Sequence, residues 1–132
     1  RAFMMFPKQK QMPQAEWNRY KRFLHGLGVC CLSGRTDIQL AHAGDVTTGK
    51  GMGRKCPHYQ VLPLSMPLHH AEEGGRSDFW SQALPGENHL DWAERLYDCF
   101  GNDDREGALV LLEDMRDLAD RQYLASILAV AA

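Results

Sequence analysis

Between Gln14 and Leu27 the apolar residues Trp17, Tyr20, Phe23, Leu24 and Leu27 return every three or four positions. That spacing lays them on one face, and it predicts an amphipathic helix that Gly26 and Gly28 bring to an end. Two short extended pieces follow, Val29 to Leu32 and Asp37 to Ala41, separated by the turn-like Ser33-Gly34-Arg35-Thr36. This order predicts a β-hairpin, with His42 where its second strand ends. Ala43 to Pro57 holds four glycines and two threonines without periodicity. A loop of that length in a small domain is usually functional or mobile.

His58 to Leu64 is again mostly apolar and runs into Ser65-Met66-Pro67. Ser65 suits an N-cap and Pro67 suits a first helical turn. The helix they open carries His69, His70, Glu72 and Glu73 before Gly74-Gly75. Two further helices are predicted, Ser77 to Gln82 and Leu90 to Phe100, with Pro85-Gly86 between them. From Asp103 to Ala132, Ala108, Leu111, Leu112, Met115, Leu118, Ala119, Tyr123 and Ile127 mark one long helix or two, acidic on the outside, with Asp103 and Asp104 at its start.

The chain has 132 residues, which suits one compact domain. Residues 1–12 read as an arm, 13–100 as a core with a leading helix, and 101–132 as a helical extension packed on the same domain. No apolar run approaches a membrane span, and the opening Arg1 to Pro7 is too short for a secretory signal. A soluble protein of the cytoplasm is expected, and the initial Arg suggests a trimmed fragment. Cys30, Cys31, Cys56 and Cys99 form no CxxC pair and are too few for a disulfide scaffold, in keeping with a reducing compartment.

Charge divides the chain. The formal net charge of −2 combines ten Lys or Arg against three acids in residues 1–70 with five against fourteen in the remainder. A basic half carrying Arg35, Lys50, Arg54 and Lys55 attracts a polyanion such as DNA, because phosphate neutralisation supplies most non-specific binding. The plainer reading is a solvated face with an acidic tail.

Six histidines supply the candidate chemistry. Phosphodiester hydrolysis needs an activated water, a stabilised leaving oxygen and charge compensation at phosphorus. One imidazole and one divalent metal suffice for these tasks. His42 at a strand end is placed for the base. On the following helix His69 shares a face with Glu73, four residues on, and His70 stands three before it. His25 and His89 read as structural or solvent-facing. A histidine pair at a helix start that simply caps, packs or lies exposed is the plain alternative.

From Cys30 to Leu96 the chain resembles phage and prophage HNH proteins related to the recombination-enhancement nucleases. The resemblance runs through Cys30-Cys31-Leu32-Ser33-Gly34, Ala41-His42, the basic Gly49 to Gly53, and Met52-Gly53-Arg54-Lys55. It continues through Val61-Leu62-Pro63-Leu64-Ser65, His69-His70, Phe79-Trp80 and Leu90 to Leu96. It implies an α+β fold: a small ββα-metal core with an N-terminal helix and a mostly helical C-terminal half. It also implies a metal-dependent DNA endonuclease acting in recombination, processing or packaging in a bacterial host cell. His42 would be the general base and His58 its orienting residue. His70, Glu73 and His69 would be ligands of Mg²⁺ or Mn²⁺, with Zn²⁺ a further candidate, and Lys50, Arg54, Lys55 and Arg35 would contact phosphates. Partners would be DNA and a recombinase or another DNA-processing protein of phage or host. The C-terminal helix is a further candidate for making a homo-oligomer.

The chain departs from the family pattern at three places. Ser33 and Ser65 stand where the family has zinc-binding cysteines. Serine is a poor zinc ligand, so the structural zinc is expected to be lost, with apolar packing around Leu32, Leu40, Val61 and Leu64 in its place. A site rebuilt from Cys30, Cys31, Cys56 and His69 is the alternative. Gly74 stands where a further histidine is usual, and one extra residue precedes the His pair. Activity then depends on Glu73 as a ligand, hard oxygen donors suiting Mg²⁺ and Mn²⁺. A degenerate HNH-fold protein that binds DNA or a partner without cleavage is the runner-up, and a small helical protein with no such site is the third reading.

Overall fold

The computed structural model describes residues 12–44 and 60–131. Among them the chain forms six helices and one two-stranded antiparallel sheet: α1 Gln14–Leu27, β1 Ile38–His42, β2 Val61–Ser65, α2 Met66–Gly74, α3 Arg76–Ala83, α4 His89–Gly101, α5 Arg105–Leu118 and α6 Arg121–Ala131. The class is α+β, as the sequence predicts. Residues 1–11 and the basic segment with Lys50, Arg54, Lys55, Cys56 and His58 lie outside the described residues.

Helix α1 buries Tyr20, Leu24 and Leu27 and stops at Gly28, whose φ of 70° is left-handed. Glycine adopts that conformation without a Cβ penalty. Tyr20 is enclosed by aromatic rings, 5.2 Å from Tyr97, 4.9 Å from Phe100 and 6.4 Å from Phe23, which joins α1 to α4. Aromatic rings bury large apolar areas at these centroid separations.

The predicted hairpin between Val29–Leu32 and Asp37–Ala41 does not form. Cys30 Sγ accepts the N–H groups of Leu32 and Ser33, both at 3.4 Å. Cys30 N–H donates to Arg35 O at 2.8 Å, and Gly34 N–H donates to Cys30 O at 3.1 Å. The backbone donors that a strand would offer to a ladder are thus turned inward on a knuckle. Instead β1 pairs with β2, from Ile38↔Ser65 at one end to His42↔Val61 at the other. Cys31 N–H reaches Pro63 O at 2.9 Å and docks the knuckle on β2. All five residues of β2 are buried, including Val61 and Leu64, and Leu32 is buried beside them.

Helix α2 follows β2 without a connecting residue. Ser65 has N-cap geometry but its hydroxyl makes no cap bond; it lies 3.4 Å from Ser33 Oγ. Gly75 divides α2 from α3, which begins one residue before the predicted start. The C-terminal region resolves into two helices. Asp104 caps α5 through Gly107 N–H at 2.9 Å, and the chain turns at Ala119-Asp120, where Asp120 N–H donates to Ala83 O. Helix α6 packs against α2 and α3, and α5 against α4. None of the described helices is long and apolar enough to cross a membrane.

Candidate functional site at the end of the sheet

In a strand, successive side chains point to opposite faces. Gln39 and Ala41 therefore share one face of β1, and Ile38, Leu40 and His42 share the other. The first face meets α2, where His69 Nδ1 lies 2.6 Å from Gln39 Oε1. The second meets α1, where the exposed His42 packs on Trp17 with ring centroids 5.6 Å apart. Lys21 Nζ stands 5.4 Å from the Trp17 ring.

Since Gln39 Oε1 can only accept, His69 Nδ1 carries the proton of that bond. In the neutral ring Nε2 keeps its lone pair, and it lies 3.7 Å from Glu73 Oε2 one helical turn on. An imidazole held through its other nitrogen is a common arrangement for a metal ligand. His70, next along the helix, is exposed. The pair His69 and Glu73 thus comes together as predicted. No group of three His, Cys, Asp or Glu among the described residues converges as a metal-binding cluster. Arg35 is exposed and holds Asp37 through two bonds, Nε to Oδ1 at 3.2 Å and Nη2 to Oδ2 at 3.1 Å.

A second group of residues, not singled out from the sequence, surrounds the exit from β1. Glu72 is fully buried. Its Oε2 accepts from Arg76 Nε at 2.9 Å and from Trp80 Nε1 at 3.1 Å, while Oε1 has no hydrogen-bond partner among the described residues. Arg76 Nη1 donates onward to Gly44 O at 2.8 Å. His89, assigned by its sequence to a loop, is the first residue of α4. Its ring stacks on Trp80, centroids 4.7 Å apart and planes within 2°. His89 Nε2 donates to Ala43 O at 3.0 Å, because a carbonyl can only accept. Burial holds His89 below the ordinary histidine range, and the Arg76 charge adds to this.

Beside these residues lies a cavity of about 770 Å³ bordered by Ala43, Glu73, Arg76, Ser77, Trp80 and His89 among others. It therefore joins the residue after His42 to the carboxylate that faces His69. One signal for the group was available in the sequence: Glu72, Arg76 and Trp80 are four apart, the spacing of one helical face. Gly74-Gly75 hid it, since two glycines read as a helix stop.

At the other end of the sheet, Cys30, Ser33 and Ser65 come together. The Cys31 thiol, the Ser33 hydroxyl and the Leu32 and Ser33 N–H groups lower the Cys30 thiol to about 5, against the effect of burial. Burial pushes Cys31 well above its usual value. Comparison of the chain with protein-family models, with curated proteins and with solved structures found no match.

Proposed function

We propose that the chain is a metal-dependent, HNH-type DNA endonuclease of phage or prophage kind, acting in DNA recombination, processing or packaging. The observation that carries this reading is the order strand, strand, helix, with His42 at the strand end and the paired His69 and Glu73 on the adjoining helix. In-line displacement puts the attacking water and the leaving oxygen on opposite sides of phosphorus. His42 stands on the α1 face of β1 and His69 meets the α2 face three residues earlier at Gln39, so the substrate phosphate would have to span from one to the other.

The donor set of one imidazole and one carboxylate fits Mg²⁺ or Mn²⁺, which complete their shells with water and phosphate oxygens. His69 and Glu73 would hold the ion, with His70 beside them. When bound, the ion supplies charge compensation for the phosphate and the leaving oxygen. His42 takes the proton of the attacking water, and Trp17 limits the arc through which its ring can turn. Gln39 holds the tautomer of His69 in which Nε2 accepts. His58, Lys50, Arg54 and Lys55, which lie outside the described residues, keep their roles as expectations: His58 to orient His42 and the basic residues to hold the strand through its phosphates.

Plasmid nicking with Mg²⁺, Mn²⁺ or Zn²⁺ tests the reading. His42→Ala should lower the rate by about 10²–10⁴, and equal cleavage by both proteins would overturn the assignment of the base. The second reading, DNA or partner binding without cleavage, is favoured by one observation: only His69 and Glu73 of the described candidates meet as a pair, with Gly74 one turn beyond His70. Salt-sensitive DNA binding without any divalent-metal heat in calorimetry would select it.

A further inference from the structure

Glu72, Arg76, Trp80 and His89 meet in a circuit that closes on the main chain next to His42. From Glu72 one arm runs through Arg76 to Gly44 O. The other runs through Trp80 Nε1 and the Trp80–His89 stack to Ala43 O. On its remaining side Ala43 N–H donates to Gln60 O at 2.7 Å, extending the β1–β2 pairing one step past His42. A Cβ on Gly44 would meet the end of the Gln60 side chain as it now lies.

We propose that these four side chains are a positioning clamp for the general base, an inference that rests on the nuclease reading above. Arg76 grips the carbonyl two residues beyond His42 and His89 the carbonyl one residue beyond it, while Glu72 and Trp80 hold those two in place, so the backbone that aims the imidazole is fixed as it leaves β1. Glu72 anchors the clamp: its buried Oε2 accepts from both Arg76 and Trp80. The stacked pair matters for direction, since coplanar rings leave His89 Nε2–H one line of approach to Ala43 O. None of the four needs to touch DNA, and their effect should fall on turnover rather than on substrate affinity. A misplacement of about 1 Å at a reacting group is worth about 10²-fold in rate.

The test uses the full chain and two readouts. The first is the ring Cε1–H NMR signal of His42, assigned by its loss in His42→Ala. The second is cleavage of duplex DNA with Mn²⁺. His89→Leu should shift or broaden the His42 signal and lower kcat by about 10–100-fold with KM within about twofold. His89→Gln, whose amide can still donate to Ala43 O, should restore both. Arg76→Lys keeps a charge beside Glu72 but falls short of Gly44 O; it should reproduce the His89→Leu signal change, and it carries the test if the leucine variant does not fold. An unaltered His42 signal in the variants, or a loss confined to KM, overturns the clamp. Absence of cleavage by the unmodified protein would instead overturn the nuclease reading, and the clamp would still be decided by the His42 signal.

Discussion

The two ends of the sheet are held by different means. At the Ile38–Ser65 end, Cys30 Sγ gathers two neutral N–H donors at 3.4 Å, and the Ser33 and Ser65 hydroxyls face each other at the same distance, long for an O–H···O bond. At the His42–Val61 end, the buried Glu72 carboxylate, Arg76, Trp80 and His89 are joined at 2.8–3.1 Å. The first end is a tight turn docked on the sheet. The second is a charged network that depends on every member. A hydroxyl lost at the first removes a long contact, whereas loss of Arg76 at the second leaves a carboxylate in the interior without its cation.

The largest effect should come from breaking the second end. Arg76→Met leaves the Glu72 carboxylate buried without its cation, which costs about 3 kcal/mol in urea unfolding. Adding Glu72→Gln to that variant should recover most of the loss, because the amide oxygen still accepts from Trp80. If Arg76→Met unfolds at the same midpoint as the unmodified protein, the contrast between the ends fails. Next in size is the repair of the first end. Ser33→Cys with Ser65→Cys should create a zinc site with Cys30, seen as one zinc per chain by metal analysis where the unmodified protein retains none. With free zinc about 100-fold above its Kd, the stabilisation would be about 2.7 kcal/mol, reversed by a chelator.

The smallest effect is a pH dependence at His89. Its pKa is lowered in the folded protein from 6.5, so the unfolded chain takes up the proton first as pH falls. Stability contributed by neutral His89 is complete above about pH 6.5 and declines below it until the folded-state pKa is passed. The difference in urea midpoint between the unmodified protein and His89→Gln should therefore change below pH 6.5 and stay constant above it. A constant difference across the range would show that the ring is not held neutral.

Helix α1 was legible because its apolar face repeats at helical spacing, and the start of α2 because Ser65 and Pro67 restrict the backbone there. His42 at a strand end and the pairing of His69 with Glu73 followed from spacing alone. The knuckle was not legible from the hydrophobic pattern: Val29 to Leu32 has the residues of a strand, and the position of the Cys30 sulfur turns its N–H groups elsewhere. Nor was the burial of Glu72. A carboxylate on a short helix reads as solvent-facing unless its cation and indole partners are known, and they lie across a glycine break. His89 was read as structural or solvent-facing, and which of the two was not legible because its partner is the carbonyl of a residue 46 positions earlier in the chain.

The clamp grips main-chain oxygens rather than side chains, and this decides where sequence drift is tolerated. Residue 43 keeps its bond with any small side chain, because every amino acid brings the same carbonyl, and its burial excludes large ones. Position 44 is restricted only by the room beside Gln60. The demand for particular side chains falls instead on positions 72, 76, 80 and 89, on three different helices. Among descendants of this chain those four should change together or not at all, while the segment they hold diverges around them.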